Sequence, residues 1–226
     1  MASRFASTVA RIGRLLLDFS FPPQCALCKG ELDTCFSPVC EKCYDSLVLL
    51  PHQRLFDPVY EGAFSAAYAV WTFSDPFQEL VHLLKYGNRP VVGTALAKRM
   101  AAMLIKDAWA NIDGLVPVPL HSTRKRERGY NQSEVIGKEL SRRLGIPLET
   151  GLLKRIRQTA TQTKLNRAAR AKNLLGAFQV CRCVAGRRLL LLDDVFTTGS
   201  TVDKCANMLM EAGAGEVRVL TAARVV

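Results

Sequence analysis

The sequence contains no long hydrophobic run, no internal repeat and no low-complexity tract. No stretch of its 226 residues approaches the roughly 18 consecutive apolar residues that span a bilayer, so we expect no membrane span. The missing repeats argue against collagen-like and coiled-coil proteins. With 49% hydrophobic and 23% charged residues, the chain has the composition of a globular protein with one core domain and a small module.

The phosphate-binding sequence G-x-x-x-x-G-K-[ST] of P-loop enzymes is also missing. Gly137-Lys138 is followed by Glu139, and Gln132 stands where the first glycine of that motif would be. The sequence therefore argues against a P-loop nucleoside triphosphatase.

Acidic residues are absent before Asp18, whereas Arg4, Arg11 and Arg14 make this end basic. The apolar run at 15–17 is too short for a signal peptide and no cleavage site follows, so we expect a cytoplasmic protein. Apolar residues at three- and four-residue steps predict an amphipathic helix over residues 1–20. We expect it to pack on the body of the protein; a mitochondrial presequence would look similar, and a membrane-surface role has less support.

Basic residues outnumber acidic ones by 31 to 20, a formal net charge of +11. Nearly all of the excess lies between His121 and Asn173, with fourteen Lys and Arg against four Asp and Glu. A concentrated basic segment indicates an anionic partner such as phosphate, pyrophosphate or nucleic acid.

Four of the eight cysteines form two C-x-x-C pairs separated by eleven residues. The pairs are Cys25 with Cys28 and Cys40 with Cys43. Two such pairs can surround one tetrahedral Zn²⁺, and four protein ligands leave no open position for catalysis. We therefore predict a structural zinc module over residues 21–55. Buried free thiols, an iron–sulfur cluster or a redox pair are the alternatives.

The other four cysteines are not predicted to be the main zinc ligands. Cys35 lies between the two pairs and is a possible substitute ligand, although the paired spacing argues against it. Cys181, Cys183 and Cys205 are expected to be small buried hydrophobic residues.

Strand-like and helix-like segments alternate from residue 56 to residue 226, which predicts an α/β domain with a mostly parallel sheet flanked by helices. The predicted strands are Ala66–Phe73, Gly114–Val118, Ala177–Val180, Arg188–Leu192 and Glu216–Ala222. The predicted helices are Pro76–Lys85, Val92–Trp109, Asn131–Leu144 and Ser200–Glu211.

The segment Leu189–Thr201 is the most informative part of the sequence. Four leucines predict a central buried strand, which leads into Asp193, Asp194 and a loop of Thr, Gly and Ser before a helix. Gly199 permits a tight turn, and the backbone N–H groups and hydroxyls at a helix N-terminus suit a phosphate. The adjacent carboxylates suit the vicinal hydroxyls of a sugar or a Mg²⁺-bound ligand.

The run D-D-V-F-T-T-G-S-T at 193–201 resembles the fingerprint for 5-phosphoribosyl-1-pyrophosphate (PRPP) in type I phosphoribosyltransferases. Almost the entire chain resembles the ComF family (also called ComF/GntX) of bacterial competence-related proteins. That wider resemblance rests on F-P-P-x-C-x-x-C at 21–28, L-K-Y-G at 84–87, V-P-V-P-L at 116–120, R-x-R-G-Y-N-Q at 126–132 and Q-T-x-L-x-R-x-x-R-x-x-N at 162–173.

The resemblance implies a type I phosphoribosyltransferase fold with Mg²⁺ accompanying PRPP. By this similarity, Asp193 and Asp194 would hold the ribose hydroxyls. The 5′-phosphate would be surrounded by Thr197, Thr198, Gly199, Ser200 and Thr201. The loop after the first core strand would cradle pyrophosphate through Pro119, Leu120 and His121.

Two basic segments could also contact an anionic ligand. Arg124, Arg126 and Arg128 could bind pyrophosphate or a nucleic-acid backbone, or form a solvated basic loop. The polar stretch 154–173 fits a lid over a charged substrate, with Lys164 and Arg167 as the candidate catalytic residues. A surface helix with a polar face, or a nucleic-acid contact, would have the same composition.

We therefore expect a PRPP-binding ComF-like protein that acts in DNA uptake (natural transformation) or single-stranded DNA processing. Its expected partners are PRPP, single-stranded DNA, and DNA-processing or competence proteins. One alternative is an active phosphoribosyltransferase in nucleotide metabolism. Another is a zinc-bearing adaptor with a vestigial site, against which the intact aspartates count. No acceptor is evident, because core packing explains the upstream aromatic residues Phe64, Tyr68, Trp71, Phe73 and Tyr86.

Overall fold

The computed structural model describes residues 23–32, 37–51, 63–103, 109, 111–157 and 176–226. The predicted N-terminal helix, Cys35, Lys164 and Arg167 lie outside these ranges. The chain divides into two compact units, Met1–Ser46 and Leu47–Val226. No helix among the described residues has the length and apolar character that a membrane crossing requires.

The described part of the smaller unit contains two tight turns and one short helix, α1 (Glu41–Asp45). An isolated bridge joins Gln24 to Glu31, and the N–H of Ala26 donates to the carbonyl of Pro38 at 2.8 Å. These bonds bring the first C-x-x-C turn beside the segment that leads into the second.

The larger unit contains a four-stranded parallel sheet in the order β1-β6-β5-β2. Its strands are β1 (Ala66–Thr72), β2 (Gly114–Pro117), β5 (Arg188–Phe196) and β6 (Glu216–Arg224). The helices are α2 (Asp75–Tyr86), α3 (Pro90–Met103), α4 (Ser122–Arg128), α5 (Gln132–Leu144) and α6 (Ser200–Glu211). The predicted α/β arrangement with a parallel sheet is confirmed.

Strand β5 lies inside the sheet, between β6 and β2, as its run of leucines predicts. Leu191 faces the side covered by α6, in one core cluster with Cys205. On the other side, a methyl group added at Gly137 of α5 would lie 3.1 Å from Leu192. Since side chains alternate along a strand, helices α6 and α5 cover opposite faces of β5.

Two short strands form a separate antiparallel pair, β3 (Leu153–Arg155) with β4 (Phe178–Val180). The predicted strand at 177–180 is therefore present but does not join the main sheet, and β3 was not predicted. The predicted lid, residues 154–173, begins within β3, and the rest of it belongs to the chain that connects β3 to β4.

Two further sequence expectations are wrong. Cys181 and Cys183 are exposed, because they follow the short strand β4 in a surface connection, whereas Cys205 is buried as predicted. The segment 122–128 is helix α4 rather than a loop, with His121 as its N-cap and Gly129 (φ +81°) at its end.

Candidate functional site

Asp193 and Asp194 lie within the last part of β5, which continues to Phe196. The strand predicted from the sequence ends at Leu192, but hydrogen bonding to β6 continues beyond it, with Asp193 opposite Thr221. The two carboxylates therefore stand at the carboxyl edge of the parallel sheet, where open α/β sheets bind their ligands. Asp193 is partly exposed, and Asp194 is only 3% exposed.

Asp194 is held by two side chains from different helices. The Lys85 ammonium, from the end of α2, forms an ion pair with Asp194 Oδ2. Gln132 at the start of α5 donates from Nε2 to Asp194 Oδ1 at 3.3 Å. Burial by itself would raise the pKa of Asp194, but the adjacent Lys85 ammonium holds that pKa below its ordinary value. Asp194 is therefore a buried, internally paired carboxylate.

Asp193 has a different environment. Its Oδ1 accepts a hydrogen bond from Ser133 Oγ at 3.1 Å and one from the N–H of Asp194 at 2.9 Å. Burial and the neighbouring Asp194 charge raise the pKa of Asp193 to about 8. The two neighbouring carboxylates therefore differ: the pKa of Asp194 is lowered by Lys85, whereas the pKa of Asp193 is raised by burial and by the Asp194 charge.

The N-cap of α5 determines where these contacts form. Asn131 Oδ1 accepts from the N–H of Ser133 at 3.0 Å, and Asn131 Nδ2 donates to the carbonyl of Val118 at 2.9 Å. The first bond caps the helix, and the second fixes its start to the end of β2. As a result, Gln132 and Ser133 meet the aspartates.

The loop after β5 has the geometry of an anion site. Gly199, with φ +73°, is the residue before α6, a conformation that glycine adopts without strain. The Thr198 and Ser200 hydroxyl oxygens lie 2.9 Å apart. Helix α6 has twelve residues, and its N-cap residue Gly199 has no side chain to cap it. The N–H of Ser200, the first residue of the helix, donates a long hydrogen bond to Thr198 Oγ1 at 3.5 Å.

The residues predicted to bind pyrophosphate line two different cavities. One, of about 490 Å³, is here called the arginine cavity. Half of its described lining residues are cationic, and the lining includes Lys85, Tyr86, Asn88, Arg124, Arg126, Glu127, Arg128 and Gly129. Tyr86 is 68% exposed, which contradicts the expectation that it packs in the core, and the Arg128 guanidinium lies 5.5 Å from its ring centre.

The second cavity, of about 530 Å³, lies between the end of β2 and β3 and is lined in part by Pro119, Leu120, Lys154 and Arg155. Arg155 is close enough to Asp193 for an electrostatic interaction between the two side chains. The structure thus groups Pro119 and Leu120 with strand β3, and Arg124 and Arg128 with Lys85. The His121 imidazole is engaged in the cap of α4, where Nδ1 accepts from the N–H of Thr123 at 3.4 Å.

The four cysteines of the smaller unit meet at one point. Their sulfur atoms all lie within 4.8 Å of one another, and Cys28 and Cys40 are 3.8 Å apart. A zinc ion with four Zn–S bonds of about 2.3 Å requires sulfur–sulfur distances of about 3.8 Å. The N–H of Cys40 also points to Cys25 Sγ at 3.4 Å, as in thiolate sites stabilised by backbone donors. The cluster is compatible with a structural zinc ion.

Comparison with known proteins agrees with this geometry. Residues 93–225 match the phosphoribosyl transferase domain family. The chain is 33% identical to DNA utilization protein YhgH of Salmonella typhi over 204 residues, which are 88% of this chain and 82% of the relative. It is 29% identical to competence protein F of Haemophilus influenzae, covering 89% of this chain and 85% of that one. The chain belongs to the ComF family of phosphoribosyltransferase-domain proteins.

Among solved structures, the ComF-family chain resembles glutamine PRPP amidotransferase of B. subtilis, complexed with ADP and GMP. The match has 25% sequence identity and a TM-score of 0.42, and it covers 62% of this chain and 30% of that one.

Three residues that contact the aspartates of this ComF-family protein were given no role from the sequence: Lys85, Gln132 and Ser133. Lys85 and Gln132 stand in stretches that carry the family resemblance, L-K-Y-G and R-x-R-G-Y-N-Q. Their presence in those motifs was the available signal. The sequence did not show that α2 ends, and α5 begins, at the carboxyl edge of β5.

Proposed function

We propose that this protein binds PRPP at the carboxyl edge of β5 and acts as a cytoplasmic ComF-type protein in DNA uptake or single-stranded DNA processing. The observation that carries the proposal is the strand–loop–helix unit at 188–211. It places two carboxylates near the end of β5, a few residues before a glycine turn and the N-terminus of helix α6.

The proposed division of roles follows from chemistry. Carboxylates accept hydrogen bonds from the vicinal hydroxyls of ribose, which suits Asp193 and Asp194. The N–H groups and hydroxyls of Thr197–Thr201 suit the 5′-phosphate, since the N-terminus of a helix favours an anion. Mg²⁺ would arrive with PRPP and neutralise part of the pyrophosphate charge.

The pyrophosphate side of PRPP has two candidate surroundings. The loop residues Pro119, Leu120 and His121 lie directly after β2, which ends at the same sheet edge as β5. Arg124 and Arg128 line the adjoining arginine cavity with Lys85. We assign the pyrophosphate to the loop, with Arg155 as an additional cation near Asp193.

The zinc ion is proposed to have a structural role. Four cysteine sulfurs would complete its coordination, leaving no open position for a substrate. Zinc would hold together a unit whose short described helix, Glu41–Asp45, cannot provide a hydrophobic core.

The DNA role rests on charge and on the names of the relatives. One protein named for competence and one named for DNA utilization match this chain over more than four-fifths of their own length. The concentrated basic segment and the arginine cavity supply phosphate-binding groups. We therefore expect single-stranded DNA, together with DNA-processing or competence proteins, as partners.

Phosphoribosyl transfer is the second candidate function, because both aspartates and the phosphate loop are intact. The stretch 154–173 would then close over PRPP, with Lys164 and Arg167 stabilising the departing pyrophosphate. Displacement at the anomeric carbon would release one pyrophosphate per acceptor modified. Pyrophosphate release from PRPP that requires an added nucleobase would support this function.

Two binding titrations test the main proposal. PRPP with Mg²⁺ should bind, and ribose 5-phosphate should bind more weakly because it lacks the pyrophosphate. A single-stranded oligonucleotide should bind with an affinity that falls steeply with salt, since phosphate contacts release counterions. Failure of the wild-type protein to bind PRPP would overturn the ligand assignment, and DNA affinity that is absent at low salt would overturn the DNA assignment.

A further inference from the structure

Both carboxylate oxygens of Asp194 are already occupied. Oδ1 accepts from Gln132, and Oδ2 is paired with the Lys85 ammonium. Asp194 Oδ2 has almost no solvent-exposed surface. A ribose hydroxyl can therefore reach this oxygen only when Lys85 moves away from it.

The two side chains that hold Asp194 also line the arginine cavity or contact a residue that lines it. Lys85 itself lines that cavity. Arg128, on the same wall, donates from its guanidinium to Gln132 Oε1, and Gln132 in turn donates to Asp194. Two separate connections, one through Lys85 and one through Arg128 and Gln132, thus lead from the cavity to the same carboxylate.

The chemistry of the cavity suits a phosphate beside a planar group. Among the described lining residues, Lys85 and three arginines are cationic, whereas Glu127 is the one acidic residue. Tyr86 is largely exposed and stacks with both Arg128 and His82, whose ring centre is 5.2 Å away. Exposed aromatic rings among arginines are typical of surfaces that bind single-stranded nucleic acid through its phosphates and bases.

We propose that the arginine cavity binds a phosphate of a single-stranded nucleic acid and that Lys85 couples this event to PRPP binding. A phosphate in the cavity offers the Lys85 ammonium a second anionic partner. Lys85 then leaves Asp194 Oδ2, and the oxygen becomes available to a ribose hydroxyl. The inference rests on the proposed PRPP site and adds its regulation: nucleic acid in the cavity strengthens PRPP binding, and by linkage PRPP strengthens nucleic-acid binding.

Lys85 is a positioning residue in this account. Its tie to Asp194 keeps the site closed when the cavity is empty, and its charge attracts the phosphate that opens the site. A purely structural Lys85 would affect stability but would not make the affinity for one ligand depend on the other.

The test is a calorimetric titration of Mg²⁺-PRPP into full-length zinc-loaded protein, with and without a saturating thymidine oligonucleotide of about 12 nucleotides, within the usual site size of such surfaces. We expect the oligonucleotide to raise PRPP affinity by about five-fold or more, the usual lower range of coupling between sites. Thymidine monophosphate and inorganic phosphate are tested in parallel. An equal effect from either would show that a free phosphate compound, rather than a nucleic-acid strand, fills the cavity, which would overturn the strand assignment.

Variants separate the parts of the proposal. Lys85→Met should abolish the response of PRPP affinity to the oligonucleotide, and Lys85→Arg should retain most of it. Arg126→Gln, which alters only the exposed cavity wall, should weaken the oligonucleotide and reduce its effect on PRPP even if Lys85→Met folds poorly. Lys138→Gln removes one exposed charge on α5 outside the cavity and should change neither affinity.

The outcomes distinguish this inference from the proposed function. If PRPP binds the wild-type protein but its affinity is the same with and without the oligonucleotide, the coupling is refuted and the PRPP site stands. If PRPP fails to bind under both conditions, the proposed function and the coupling fall together.

Discussion

Lys85 and Asp194 form an ion pair that joins the end of helix α2 to the end of strand β5. Asp194 is nearly inaccessible, and Lys85 retains 25% of its side-chain exposure. The pair therefore couples the stability of the sheet edge to the state of the proposed ligand site. This arrangement explains why Lys85, 34 positions upstream of Pro119, the first predicted PRPP-binding residue, lies beside the proposed site.

Breaking this pair should destabilise the larger unit. Asp194→Asn leaves the Lys85 ammonium without its buried partner and should lower the free energy of unfolding by about 2 kcal/mol. Urea denaturation followed by tryptophan fluorescence measures this, because both tryptophans, Trp71 and Trp109, belong to the larger unit. The double variant with Lys85→Met should recover part of the loss.

A surface ion pair provides the control for this prediction. Lys125 Nζ and Glu134 Oε2 are 2.8 Å apart, but their side chains are 47% and 29% exposed. Glu134→Gln should change stability by less than about 1 kcal/mol. Equal effects of Asp194→Asn and Glu134→Gln would contradict the buried character of the Lys85 pair.

PRPP binding should release a proton from Asp193. Burial and the Asp194 charge raise the pKa of Asp193 to about 8 in the empty site, whereas accepting a ribose hydroxyl favours the ionised carboxylate. The pKa therefore falls on binding, so affinity should rise with pH by up to about tenfold per unit until pH 8 and then level off. At pH 7, roughly one proton per PRPP should be released.

Calorimetry in buffers of different ionisation enthalpy measures this release. Asp193→Asn cannot release the proton, and it should also bind PRPP at least about tenfold more weakly, in line with the loss of a charged hydrogen bond. Because Asp193 is mainly neutral when the site is empty, this variant should retain wild-type stability at pH 6. Proton release that persists in Asp193→Asn would assign it to another group.

Gly199→Ala should impair PRPP binding beyond its cost in stability. Gly199 has φ +73°, and an alanine there costs roughly 1 kcal/mol of backbone strain. It would also disturb the N–H groups proposed to hold the 5′-phosphate. We expect a loss of more than about tenfold in PRPP affinity, measured by calorimetry.

Gly145→Ala is the matched control. Gly145 ends helix α5 with φ +71°, and a methyl group there would meet no atom within 4 Å. The two variants should therefore lose similar stability, but Gly145→Ala should bind PRPP normally. Equal loss of PRPP binding in both would mean that general destabilisation, rather than the phosphate loop, is responsible.

Metal analysis should find one zinc per chain. Cys25→Ser or Cys40→Ser should lower the zinc content, because serine is a poor ligand for zinc compared with a thiolate. Cys183→Ser, which alters an exposed cysteine of the larger unit, should retain full zinc. A stable native protein purified without zinc would show that the four cysteines do not form a metal site.

The sequence was sufficient where one local pattern determined the structure. Leu189–Leu192 predicted a buried strand because a continuous apolar run fits a parallel strand whose two faces are both covered by helices. The C-x-x-C spacing similarly predicted the sulfur cluster, since each pair lies on one tight turn. The boundary of β5 was less predictable: Asp193 and Asp194 remain in the strand because β6 provides hydrogen-bond partners for them, and polar side chains do not reveal that pairing.

Local sequence patterns did not predict the contacts between segments that are distant along the chain. Nothing near Lys85 in the sequence shows that it reaches Asp194, more than a hundred residues away, because the contact depends on how α2 crosses the sheet. The segment 122–128 was not among the predicted helices, and a solvated basic loop was one alternative for it. It is helical because His121 caps it and Gly129 ends it, and this conformation directs Arg124 and Arg128 into a different cavity from Pro119 and Leu120.

Direct titration of Mg²⁺-PRPP into the zinc-loaded protein is the measurement that tests the central claim. The account predicts micromolar binding that requires Mg²⁺ and is much weaker for ribose 5-phosphate. A folded wild-type protein that shows no heat of binding for PRPP, with or without Mg²⁺, would contradict it, and the strand–loop–helix unit would then be a structural element of the fold.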